Sequence, residues 1–185
     1  MASKVEIANF ALTELGKDSI IALTDNSSMN LIFDDTAREV MSMGQWTSSN
    51  FRQTLAQDAT APIFGFAYRY VLPTDPQYLG MISINEDRIG DIEYRISSGY
   101  LETDENAVSI RYKGYATNAE SWDQHLQRAI VLRLAQKLCF KITGDSKLKD
   151  QLRQEFNEAL DNGLAVDGLD GTTDSFVVRE LGDVR

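Results

Sequence analysis

A chain of 185 residues with 43% hydrophobic and 25% charged residues has a globular composition, which excludes a fibrous repeat or a disordered chain and allows one large domain or two small ones. Eighteen Lys and Arg against 28 Asp and Glu leave a net charge of −10, which opposes any principal binding mode that works by neutralising phosphates. No apolar run approaches the roughly 18 residues that span a bilayer, Lys4, Glu6 and Asn9 break what would be a signal-peptide core, and the lone Cys139 permits no intrachain disulfide.

Ser3 followed by Glu6 is a capping-box spacing, and Val5, Ala8, Phe10, Ala11, Leu12 and Leu15 recur near helical period before Gly16. This predicts a first helix of about four turns. Residues 24–28 offer turn and cap chemistry, after which Met29, Phe33, Thr36, Ala37, Val40 and Gly44 share one face of a second helix reaching about Trp46. Asp34 and Asp35 are adjacent in it, so a helix points them in different directions and they suit an early turn better than paired acid-base chemistry.

From about residue 62 the period falls to two. Phe64, Phe66, Tyr68 and Tyr70 alternate with smaller or polar residues, predicting a strand that Pro73 and Pro76 bring to an end. Residues 79–84 read as a second strand and Ile92, Tyr94 and Ile96 as a third. Ser97, Ser98 and Gly99 then form a hairpin turn into Tyr100 and Leu101, and Val108, Ile110 and Tyr112 mark a further strand. The middle of the chain is thus expected to be an antiparallel sheet. Asn118 or Ser121 can cap the next helix, whose dense apolar content from Trp122 onward marks it as the most buried one. Gly144 ends it, and Asp145 caps an amphipathic helix carrying Leu148, Leu152, Phe156, Ala159 and Leu160 that is expected to stop near Asn162 and Gly163. The expected fold class is α+β: a helical bundle from residues 1–55 and 116–164, an inserted antiparallel β-sheet domain over 56–115, and an extended polar arm over 165–185.

Chemistry-bearing patterns are sparse. His125 is the sole histidine, so one chain supplies no two-His metal site, and neither a Gly-x-Ser-x-Gly elbow nor a phosphate-cradling Gly-rich loop with lysine occurs. Asp167, Asp170 and Asp174 do not fit the spacing of a calcium loop. Glu86, Asp87, Asp91 and Glu93 read as strand-end acids. No catalytic, cofactor-binding or metal-binding residue is expected, and the chain reads as a non-enzyme. Trp46 and Trp122 are expected to lock the helical halves together. An alternative reading is a soluble binding module presenting Tyr94, Tyr100 and Tyr112 on one aromatic sheet face to a peptide or glycan.

Several short runs, taken in order, carry a family resemblance. Asn9 through Leu15 and Gly16 leads to an Ile20 to Leu23 segment, Trp46 follows the second helix, and Tyr68-Arg69-Tyr70-Val71-Leu72-Pro73-Thr74-Asp75 is an aromatic-x-Tyr-x-Leu-Pro-x-Asp run. The hairpin around Ser98 and Gly99, then Arg111-Tyr112, Trp122-Asp123 and the helix that follows complete the series. In this order the chain resembles the tail tubular protein A family, the head-to-tail adaptors of short-tailed phages, over nearly its whole length. It departs from the family pattern after Asp123, where no proline occurs, and in its long Asp/Gly tail. The resemblance implies a structural virion protein made in the host cytoplasm. Such a protein sits at the head-tail junction as a homo-oligomeric ring, a dodecamer, between the portal protein and a tail tubular protein B-like nozzle. DNA passes through its lumen during ejection without specific binding, no membrane is involved, and no cofactor is implied. Phe176, Val177, Val178 and Arg179 of the arm would contact the portal or a neighbouring subunit, with Trp46, Tyr70, Pro73 and Trp122 as structural residues.

Overall fold

The computed structural model describes residues 2–85 and 92–170, the last four by backbone alone. The first helix, α1 (Lys4–Glu14), starts as its spacing predicts: the Ser3 hydroxyl accepts from the Glu6 amide at 3.2 Å and the Glu6 carboxylate accepts from the Ser3 amide at 2.7 Å. Asn26 caps α2 (Ser27–Met43) by accepting from the Met29 amide at 3.0 Å. This helix stops short of Trp46. Gly44 takes an extended conformation, and the chain doubles back so that the Trp46 indole nitrogen donates to the Val40 carbonyl at 3.1 Å.

The chain then enters the β region earlier than expected. Residues 50–54, placed with the helices in the sequence reading, form β1 (Asn50–Thr54), and Leu55 joins the core of the sheets. Residues 62–67, expected as a strand, are irregular. Pro62 has no amide to give a ladder and Gly65 sits at φ 96°, so the alternating aromatics cannot keep an extended register until β2 (Tyr68–Val71). The remaining strands are β3 (Gln77–Ile84), β4 (Tyr94–Ser97), β5 (Tyr100–Thr103) and β6 (Ser109–Tyr115).

They make two antiparallel three-stranded sheets, ordered β1-β6-β3 and β2-β5-β4. The β4–β5 hairpin closes through Ser98 at φ 50° and Gly99 at φ 84°, the two positive angles that a two-residue turn between twisted strands requires. Past Thr54 the chain runs along β2, where the Val71 amide donates to the Ala56 carbonyl and the Asp58 amide to that of Arg69, so the sheets share a corner. Their inner faces bury one core of Leu55, Tyr70, Leu72, Ile84, Leu101, Val108, Ile110 and Tyr112.

Helices from both ends of the chain build the second core, so the protein is α+β with a β insertion. At its centre lies α3 (Gln124–Thr143), which packs against α1, α2 and α4 (Ser146–Asp170). Asp123 caps α3 through the Leu126 amide at 2.7 Å, whereas Asn118, one of the two caps expected, serves the short 3-10 turn before it. Gly144 in the left-handed region ends α3, and Asp145 receives the amides of Lys147 and Leu148. Helix α4 does not stop near Gly163. It continues to Asp170, so residues 165–170, expected in the arm, are helical.

Candidate assembly interface

Three of the connections that hold the helical bundle to the sheets and to itself involve residues the sequence singled out. The first is Trp46, fully buried, whose ring lies against α4 so closely that a Cβ on Gly163 would come within 2.8 Å of it. Gly163 is therefore a close-approach glycine inside a helix rather than a helix end. The second is Trp122, whose indole nitrogen donates to the Ala116 carbonyl at 2.9 Å while its ring stacks on Phe33 of α2 at 6.4 Å between centroids. The third is polar. Lys4 of α1 and the Tyr115 hydroxyl of β6 both donate to Asp34 of α2, at 2.8 and 2.7 Å. Burial alone would raise the Asp34 carboxyl, but these hydrogen bonds and the charges of Lys4 and Arg38 outweigh it and hold it below its ordinary value. Burial, with the neighbouring Asp34, pushes the Tyr115 phenol well up. Asp35 turns away to Arg38 at 2.8 Å, so the two adjacent acids do separate work.

Trp46 and Trp122 are both buried in the helical core. Tyr70 lies in the sheet core with its hydroxyl donating to the Glu105 carbonyl at 2.8 Å, and the Pro73 carbonyl accepts from the Tyr78 amide at 3.0 Å where the chain turns into β3. Phe176, Val177, Val178 and Arg179 lie outside the described residues, as do Glu86, Asp87 and Asp91. The backbone carbonyl of Glu93 accepts from the Thr103 hydroxyl at 2.8 Å. Among the described residues no group of His, Cys, Asp and Glu is placed to hold a metal ion, and no helix is long and apolar enough to cross a membrane.

The three tyrosines of the alternative reading do not share a face. Tyr112 is buried between the sheets, stacked on Tyr78 and tilted against Phe51, and Tyr94 packs on the same inner core. Tyr100 lies under the Arg69 guanidinium at 4.3 Å, and Arg69 in turn pairs with Asp58 at 3.2 Å. The strand period identified the aromatics, but which face each takes depends on the pairing register, which one sequence does not supply.

The surface also presents some large apolar side chains. Ile63 is 97% exposed and Phe64 73% exposed in the loop before β2, and Phe10 on α1 is 56% exposed. Phe10 borders a shallow, open hollow with Ala2, Glu6, Gln124 and Gln127, with the buried Trp122 beneath it. Sequence reasoning placed Phe64 and Phe66 in a strand and so missed this loop. The available signal was Pro62 and Gly65 inside the alternation. Exposed apolar side chains thus occur on both the helical and the β part of the molecule. No protein-family model and no curated protein matches the chain.

Proposed function

We propose that the protein is a head-to-tail adaptor of a short-tailed phage, similar to the tail tubular protein A family, which assembles as a ring beneath the portal protein and connects it to the tail. The carrying observation is the architecture itself. Helices from both chain ends share one core around α3, and the β insertion hangs from it through α2 and β6, leaving apolar groups exposed at both ends. A subunit of this kind can meet a neighbour on one side with its helices and on the other with its β insertion, as head-to-tail contact in a ring requires. The net charge of −10 suits a conduit through which DNA must pass without being held, because like charges repel.

The partners in this reading are the portal protein above, a tail tubular protein B-like nozzle below and eleven further copies around a twelve-fold ring. Residues 165–185 carry five acids and two bases around a small apolar cluster, and their contacts with portal or neighbour would centre on Phe176, Val177, Val178 and Arg179. The test is to mix the purified protein with the portal of the same virion and record native mass and negative-stain images, with the protein alone as control. A closed ring bound stoichiometrically at one end of the portal is expected. A protein that remains separate from the portal at both low and high salt overturns the reading.

A further inference from the structure

In a chain of net charge −10, residues 137–149 carry four lysines against a single acid, Asp145. They form the corner where α3 turns through Gly144 into α4, and the start of α2 lies beside it, since Lys141 donates to the Ser28 hydroxyl at 2.6 Å. The twenty residues of α3 put this corner about 30 Å from the junction with the β insertion. Elsewhere in the bundle acids answer the cations: Asp34 pairs with Lys4, Asp35 with Arg38, Glu14 with Arg128, and Glu39 with both Arg133 and Lys137. Lys141, Lys147 and Lys149 are exposed, and among the described residues no carboxylate pairs with any of them. The nearby acids are turned elsewhere. Asp145 accepts from the Lys147 and Leu148 amides at 2.8 and 3.2 Å, and Asp150 faces Arg153 at 3.4 Å. At the same corner Phe140 is 59% exposed, on a helix whose large apolar side chains from Leu126 to Leu138 are buried.

We propose that this corner binds a short acidic segment of another protein, with its carboxylates on Lys141, Lys147 and Lys149 and an apolar side chain against Phe140. Charge selects an anion, and size selects among anions. At 0.1 M salt a charge is screened beyond about 10 Å, so a short segment feels chiefly the three lysines. A nucleic-acid duplex or an anionic membrane extends past them and meets the excess acids of the rest of the chain, and a second copy brings a net charge of −10 of its own. The chemistry of the cations agrees. Each lysine presents three rotatable donors on a flexible stem, which suits carboxylates along a peptide without demanding one planar, bidentate geometry. Exposed ion pairs contribute little one at a time, so the phenyl ring supplies apolar area that the lysines alone lack. The site requires neither ring closure nor a portal, and it stands apart from the adaptor reading.

The experiment titrates the full-length protein at low salt with a short labelled peptide of alternating Glu and Leu, followed by fluorescence anisotropy and by amide chemical shifts. The Gln-Leu counterpart, phosphatidylglycerol vesicles and a DNA duplex form separate arms. The Glu-Leu peptide is expected to bind, to move the amides of residues 140–149 and to leave as salt is raised, with the Gln-Leu peptide weaker by about tenfold or more. Lys147→Glu with Lys149→Glu should weaken binding about tenfold and Phe140→Ser about fivefold, whereas Lys147→Arg with Lys149→Arg should retain it. Because these side chains are exposed, all three variants should keep the wild-type urea midpoint. Equal affinity for the charge-reversed variant, or shifts that lie elsewhere on the protein, overturns the proposal. So does tighter binding of vesicles or duplex through the same lysines, or a protein that forms oligomers through them with no peptide present.

Discussion

Gly163 shows how a single residue can mislead in isolation. In a solvent-exposed helix interior, replacing glycine by alanine gains about 1 kcal/mol. Here the added methyl would meet two Trp46 ring carbons at 2.8 and 2.9 Å. Gly163→Ala is therefore expected to destabilise by about 1–3 kcal/mol, the usual range for overpacking, measured as a lower urea midpoint. In a Trp46→Leu background the same change should become neutral or favourable. Glu39 makes a second residue-scale case. Burial would raise its carboxyl, but hydrogen bonds and charges from Arg133 and Lys137 outweigh this and hold it below its ordinary 4.5. A carboxyl whose folded pKa is depressed contributes stability above its unfolded pKa and loses it as pH falls through the folded one. Stability should accordingly fall as pH drops below about 4.5, and Glu39→Gln should flatten that fall while lowering stability at pH 7. Denaturant melts at stepped pH decide this, and an unchanged acid slope in the variant would refute the assignment.

At the scale of elements, the segment after α1 has no regular structure of its own yet is held in place. The Asn9 side chain receives the Ile20 amide at 2.8 Å and donates to the Ile20 carbonyl at 3.0 Å, clamping the returning chain to the helix. Two hydrogen bonds of about 1 kcal/mol each predict that Asn9→Ala costs roughly 1–3 kcal/mol and speeds hydrogen exchange at the Ile20 amide before the α3 amides respond. The hairpin supplies a contrast, because its demands are local. Ser98 and Gly99 occupy the two positive-φ positions, and the tripeptide announced that turn in the sequence alone. Helix α4 lay between these cases. Its start was readable from Asp145, but its continuation past Gly163 required knowing that Trp46 folds back onto it.

At the scale of the whole molecule, charge and apolar surface pull in opposite directions. In the ring we propose, copies that each carry a net charge of −10 repel one another, while apolar contact between them acts the other way. Salt shortens the screening distance from about 30 Å at 0.01 M to about 3 Å at 1 M. Ring assembly should therefore strengthen as salt is raised, read by sedimentation velocity across that range. An assembly that dissociates with salt would mean that ion pairs rather than apolar contacts hold the copies together.

The order of the four helices, the caps at Ser3 and Asp145, a cap within residues 24–28, the tight turn at Ser98 and Gly99 and the α+β class were legible in the sequence. Each depends on residues within a few positions of one another, where helical or strand period and cap chemistry act. Tertiary structure decided the rest. The division into two sheets depends on which strands pair, and the burial of Tyr112 depends on the face that register assigns to it. Gly163 inside α4, Asp34 shared by Lys4 and Tyr115, and the exposed loop at Ile63 and Phe64 all depend on contacts or their absence across long stretches of chain. A side chain's period states how often it returns to a face, and only packing determines what that face meets.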